Sequence, residues 1–461
     1  MGRSRNLALM VGAVSLLLAL ALALVFRPTG ATAQSASSGT HVGVASCSGS
    51  TCHGRSEGNG KIVRQDELMI WQDESSPAGA HSRAWRVLQL PRSKAIAQRL
   101  GIGEATSAPM CLGCHATPTA QNGGGRGARF QLSDGVGCES CHGPASGWLA
   151  SHYAVGANHA QNVARGLVPL ENPRARAGQC LDCHFGSADQ GQFVNHRIMA
   201  AGHPRIAFEL DLFSTLQQHH NEDGDYAQRK GRSNGVQLWA VGQAMALERS
   251  LSLFTNPARG TEGMFPEFYF FDCHTCHRRI SDNPNFQPTG VDNPGRPIPE
   301  GMPAYNDENM IMLAAAARVA APSLAAQFER DSRAFHQSIS KDRGSAVAAA
   351  NRLRETARAL ANAFSNATLG RQQTFAIIDA ITGNAIQERY TDYAGSVQAV
   401  MATDTLLSAL VNSGQIDAGA ATTIRTDINA AYRAVRDPNE YQPREFRASL
   451  GRAASAIRRL R

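Results

Sequence analysis

The ten cysteines constrain this 461-residue chain more than any other feature. They fall into five pairs, and histidine follows the second cysteine of every pair. Four are regular: "CLGCH" (111–115), "CESCH" (138–142), "CLDCH" (180–184) and "CHTCH" (273–277). The fifth, "CSGSTCHG" (47–54), has four residues between its cysteines instead of two. Only 15 of the 461 residues are histidine, so five such placements by chance are negligible. The pattern C-x-x-C-H is the attachment signature of c-type haem. Two thiols add to the vinyl groups on one edge of the porphyrin, and the next imidazole lies over the ring and binds the iron.

Other cysteine chemistries fit less well. Zinc sites use paired C-x-x-C motifs but do not need histidine after each second cysteine. A redox dithiol explains one C-x-x-C, not a set of five. A disulfide scaffold suits a short secreted chain, and this chain is long. The expectation is therefore five covalent haem c groups. They are held by Cys47 and Cys52, Cys111 and Cys114, Cys138 and Cys141, Cys180 and Cys183, and Cys273 and Cys276. The proximal ligands are His53, His115, His142, His184 and His277. In the irregular motif the two extra residues are expected to loop out of the attachment turn.

Arg3 and Arg5 precede an apolar run from Leu7 to Phe26, and "ATA" (31–33) offers a cleavage site. This predicts an export signal over 1–33. The run also approaches the ~20 residues that span a bilayer, so an uncleaved anchor is the alternative. Either way the remainder is expected outside the cytoplasm, in a periplasm, where it is free or tethered to the inner membrane. No second apolar run of that length is evident. The formal net charge of +7 includes Arg3, Arg5 and Arg27, which leaves +4 beyond Ala33. Five haems would add roughly −5 when oxidised and −10 when reduced. The basic composition is thus no argument for a nucleic-acid partner, and none is expected.

The motifs occupy Cys47 to His277, about one haem per 46 residues. Such a segment has too little chain for an ordinary side-chain core, so the haems must supply buried apolar surface. Strand alternation is scarce, and glycine and proline punctuate "QNGGGRG" (121–127) and the stretch 282–303. The fold class expected is mainly α: a multihaem domain of short helices and long loops over 34–303, then a helical bundle over 304–461. "VQLWAVGQAMALERSLSLF" (236–254) predicts a helix with Leu238, Val241 and Met245 toward one side. Beyond 304 cysteine is absent, and alanine, arginine and leucine dominate. Leu353, Ala357, Leu360 and Phe364 share one helical face. "NSG" (412–414) predicts a helix stop, Asp417 the next N-cap, and 444–460 a final basic helix. The bundle is expected to hold four to six helices.

Ten histidines lie outside the proximal positions, more than enough to give every iron a second imidazole. Two imidazoles make a low-spin iron suited to electron transfer, whereas an open position admits a substrate. His196 lies seven residues before His203, two helical turns on one side, so the two could serve different haems. His41 and His159 are candidates to ligate neighbouring haems. His219 and His220, in the polar stretch "LQQHHNEDGDYAQRKGR", read as a solvated loop. His274, inside its own motif, reads as surface. His336 reads as a helix-surface residue, and Met110 as a packing residue.

"GCESCHGPASGWLASHY" (137–153), "NHRIMAAGHPRIAFEL" (195–210) and "AHSRAW" (80–85) resemble segments of the multihaem cytochromes related to cytochrome c-554. These belong to the wider superfamily of hydroxylamine oxidoreductase and pentahaem nitrite reductase. The resemblance spans about residues 40–280 and leaves the C-terminal helices uncovered. It implies that His81, His152 and His203 are distal ligands, and His196 joins them as a metal-ligand candidate. Cytochrome c-554 itself is a tetrahaem protein, so five motifs and the irregular first site prevent direct transfer of its haem numbering or partners.

The leading expectation is an exported electron carrier, not an enzyme. Its partners would be redox proteins, such as a membrane quinol oxidase or another cytochrome. The alternative is a haem-dependent oxidoreductase acting on a small nitrogen or sulfur compound at one open axial position. The C-x-x-C-K motif of pentahaem nitrite reductases is absent. The C-terminal bundle is expected either to dock a partner or to shield haem edges.

Overall fold

A computed structural model describes residues 39–58, 64–119, 125–188, 191–220, 222, 224–261, 265–277, 297–299, 302–387 and 392–461. The expected export segment lies outside these residues, as does most of 282–303. Among the described residues the chain is helical, with two isolated β-bridges, His41 with Arg126 and Phe271 with Tyr305, and no named strand.

The first region is built from short pieces. Its helices include α1 (Glu67–Gln72), α2 (Pro91–Leu100), α3 (Pro109–His115) and α4 (Pro173–His184). Proline occupies the first turn of α2, α3 and α4, where its missing N–H costs nothing. Helices of four to seven residues fill the intervals, including Glu139–His142, Leu149–His152, His196–Ala200 and Cys273–Cys276. The motifs at 138–142 and 273–277 lie on such single turns, whereas those at 111–115 and 180–184 end α3 and α4.

The second region is regular. The helix expected over 236–254 is α5 (Gly235–Thr255), started by the Asn234 side chain, which accepts from the Gln237 N–H. It is buried on nearly every face, so one apolar stripe through Leu238, Val241 and Met245 understates it. Then come α6 (Glu308–Ala320), α7 (Pro322–Ile339), α8 (Arg343–Ser365), α9 (Arg371–Ile386), α10 (Tyr393–Asn412), α11 (Ala418–Ala434) and α12 (Pro443–Arg458). Among the described residues these are seven helices, not four to six. Proline at the start of α7 separates it from α6, which a composition reading runs together.

Leu353, Ala357, Leu360 and Phe364 of α8 are all fully buried, as their spacing predicts. Burial of side chains such as Leu and Phe contributes about 1.5–3 kcal/mol each. The helix stop also follows the sequence. Gly414 takes a left-handed φ of 68°, and the Asp417 carboxylate accepts from the Ala420 N–H at 3.1 Å to start α11. A further helix, α10, is long and apolar enough by length and composition to cross a membrane, but 78% of its apolar window is buried inside the protein.

The two regions share a core. α5 packs along α8, α6 and α10, and also against α4 and the helix Leu210–Leu216. Trp239 of α5, fully buried, belongs to the same apolar cluster as Phe335, Leu353, Ile378 and Phe446.

Candidate haem centres

The irregular motif closes like the regular ones. At the second and fourth regular motifs the histidine N–H donates to the carbonyl of the first cysteine: His142 to Cys138 at 2.9 Å and His277 to Cys273 at 2.8 Å. The His53 N–H makes the same bond to the Cys47 carbonyl at 3.2 Å, although two more residues intervene. The surplus forms an exposed turn, in which the Cys52 N–H donates to Gly49 at 2.8 Å. Residues 65–68 brace this loop. The Leu68 N–H donates to His53, the Arg55 N–H to Gln65, and the Gln65 amide to Thr51. Gln65 holds a left-handed φ of 69° to do so, a conformation that side chains other than Asn, Asp and Gly seldom adopt.

The regular motifs sit side by side. The Cys183 thiol donates to Gly113 and the Cys114 thiol to Gly191, both at 3.7 Å. A Cβ on Gly113 would stand 2.3 Å from the Gly191 carbonyl oxygen, so the third position of "CLGCH" must be glycine here. The Cys47 and Cys138 thiols lie beside each other. No disulfide joins any of the ten cysteines, so each thiol remains available for attachment.

Each motif histidine faces another histidine. His53 faces His152 with ring centroids 6.1 Å apart, and His184 faces His81 at 6.0 Å. His115 faces His203 at 6.3 Å, and His277 faces His196 at 6.2 Å. His142 faces both His219, at 6.3 Å, and His220, at 6.0 Å. A metal–imidazole bond is about 2 Å, so two imidazoles on opposite faces of one iron hold their centroids about 6 Å apart. The residues therefore fit haem.

The ring nitrogens are arranged to match. Nδ1 of His115 bonds the Ala84 carbonyl at 2.8 Å, that of His203 the Pro204 carbonyl at 2.8 Å, and that of His219 the Gln217 carbonyl at 2.8 Å. With Nδ1 held as donor, Nε2 keeps its lone pair for a metal. Burial also favours the neutral, ligating form. It pushes His184 and His219 down to about 4 and His142 well below the usual range, the last aided by the facing His220 and His219. His53 differs. A hydrogen bond from its Nδ1 to the Glu67 carboxylate, 2.9 Å long, raises it.

His81, His152, His196 and His203 thus lie opposite motif histidines, and His196 and His203 face different ones. The pair His219–His220 was missed, because its polar sequence surroundings read as a solvated loop. The overlooked signal was a count: four distal candidates leave one of five motifs without a partner.

Five other residues depart from expectation or have other partners. His274 is buried, not exposed: its Nδ1 lies 2.7 Å from the Pro438 carbonyl and its ring stands edge-on to Tyr441. His336 is also buried, 3.2 Å from the Asp307 carboxylate, because α7 turns that face toward the start of α6. Met110 lies half-exposed on the first turn of α3 instead of packing. His41 is buried against Phe130, and His159 pairs with Glu171 at 2.6 Å.

A helical chain with paired thiols and facing imidazoles defines a class, the c-type cytochromes, which hold haem covalently and transfer electrons. Residues 46–143 match the family described as cytochrome c554 and c-prime. That segment carries the motifs at His53, His115 and His142 together with His81, and it is part of the wider span of resemblance read from the sequence. No curated protein and no solved structure matches the chain.

Proposed function

We propose that this chain is an exported electron carrier with five haem c groups, each ligated by two histidines. The axial pairs are His53 with His152, His115 with His203, His142 with His219, His184 with His81, and His277 with His196. The observation that carries the reading is the facing of every motif histidine by a second imidazole at 6.0–6.3 Å. His219 is preferred over His220 for the His142 centre because its Nδ1 is fixed by a backbone carbonyl and its ring is the more buried.

When bound, haem c supplies a one-electron iron couple whose potential the protein sets through ligand, burial and nearby charge. The chain's part is to keep each pair of imidazoles opposed and to bring motifs close. The contact of Cys47 with Cys138 places the first motif beside the third. Cys114 with Cys183 places the second beside the fourth. Cys141 lies near Cys180, which joins the third to the fourth. The segment carrying both His196 and His203 links the second to the fifth. These contacts support a linear relay, from the irregular motif at one end to His277 at the other. Its partners would be redox proteins on the outer face of the inner membrane, such as a quinol oxidase or another cytochrome, with Leu7–Phe26 as leader or tether.

The test is a count of covalent haem against protein mass, together with low-temperature EPR of the oxidised protein. Five haems per chain, all low-spin, are expected. A high-spin signal from one centre would favour the oxidoreductase reading instead.

A further inference from the structure

Glu67 belongs to no attachment motif and to no histidine pair, yet it lies between two of the centres. It is the first residue of α1 and is 6% exposed. One carboxylate oxygen accepts from Nδ1 of His53 at 2.9 Å. The other lies 3.6 Å from Nδ1 of His220, at ion-pair distance but beyond a good hydrogen bond. His220 in turn packs against His219 with the rings tilted and their centroids 4.3 Å apart, and faces His142. Burial alone would push this carboxyl up, but the His220 and His53 imidazoles beside it outweigh burial and bring it below the usual carboxylate range.

We propose that Glu67 is a positioning residue shared by two haem centres, orienting His53 directly and the His142 centre through His220. This rests on the ligand pairs proposed above. A carboxylate on the far nitrogen of a ligating imidazole fixes the ring and makes it a stronger donor. It also places a negative charge beside a centre that gains negative charge on reduction. Both effects stabilise the oxidised state, so Glu67 lowers the potential of the His53 centre strongly and that of the His142 centre weakly. The other proximal and distal histidines with a placed Nδ1 contact, His115, His203 and His219, use neutral backbone carbonyls. Among these described contacts His53 has the charged partner, and its motif is also the one with the irregular linker. α1 supplies both the brace of that linker, through the Leu68 N–H, and the charge on its histidine.

The experiment is a potentiometric titration of the full holoprotein followed by EPR, on wild type, Glu67→Gln and His220→Ala. Glu67→Gln keeps the side-chain shape and removes the charge. It is expected to shift two of five centres toward easier reduction. One should change its reduced-to-oxidised ratio at a fixed potential at least tenfold, which is about 59 mV for a one-electron couple, and the other by less. His220→Ala is expected to leave all five haems low-spin and to move only the weaker of these two. Glu67→Gln that shifts no centre, one centre alone, or all five alike would overturn the proposal. So would a high-spin haem in His220→Ala, since His220 would then be the axial ligand itself. Wild type with fewer than five low-spin haems is a separate result, seen before any variant, and breaks the ligand pairs instead.

Discussion

The region before α5 and the region from α5 onward bury apolar surface in different ways. From α5 to α12 one continuous cluster runs through Trp239, Phe254, Phe335, Leu353, Phe364, Ile378, Leu406 and Phe446. The earlier region has three small groups: Leu88 with Ala97 and Ala105, Leu100 with Ile198 and Ala201, and a patch around Leu181 and Phe208 that leans on α5. Chain of that length with so little side-chain core does not hold a fold by itself. What orders it are loop hydrogen bonds and histidines drawn toward common points. The difference teaches that one sequence follows two folding rules. The later helices are specified by side chains packing on side chains, and the earlier turns by groups arranged around a cofactor.

The sharpest way to break this contrast is to withhold haem. Chain made without covalent attachment is expected to lose amide-exchange protection through residues 39–216 and to keep it in α6 and α8 through α12. Equal loss in both regions would show that the later helices depend on haem as well. Next in size is Phe364→Ala, at a fully buried site in α8. Loss of about 3–5 kcal/mol of stability is expected in denaturant unfolding, with haem spectra unchanged. Spectral change at the same denaturant-free pH would mean that the two regions are coupled through more than the shared face of α5.

The smallest effect tests that shared face. Glu209, fully buried, accepts from the N–H groups of Asp211 and Leu212 and from the Thr405 hydroxyl of α10. Burial, with the nearby Asp211, pushes its carboxyl up to about 7. An acid raised on folding favours its neutral form in the folded state. Its contribution is therefore complete below pH 4.5 and is lost as pH rises through about 7. Stability is expected to fall by on the order of 2 kcal/mol across that range. Glu209→Gln should flatten the profile, and an unchanged slope would assign it to other groups.

The same contrast decides what could be read in advance. The later helices were legible because their signals are local: the i, i+4, i+7, i+11 row in α8, the Gly414 stop and the Asp417 cap. Their number was misjudged because composition hides the break at Pro322. The paired-cysteine pattern was legible because the chemistry it implies needs regular spacing. The histidines that face the motifs were partly legible, through resemblance at His81, His152 and His203. His219 and His220 were not, since an imidazole can approach an iron from any loop and leaves no spacing behind. His274 and His336 read as surface because their burial depends on contacts from Pro438 and Asp307, remote in sequence or across a helix junction. Glu67 carried no signal at all: a glutamate opening a short helix looks like ordinary helix-start chemistry.

The bond from the His53 N–H to the Cys47 carbonyl changes what counts as a motif. A survey that recognises haem attachment by two intervening residues finds four such sites in this chain. The clasp between first cysteine and histidine marks the same closure in "CSGSTCHG", with the surplus carried outward as a harmless bulge. If the proposed fifth haem is attached there, an inventory of haem content built on fixed spacing undercounts this chain by one, and the clasp is the feature to search for instead.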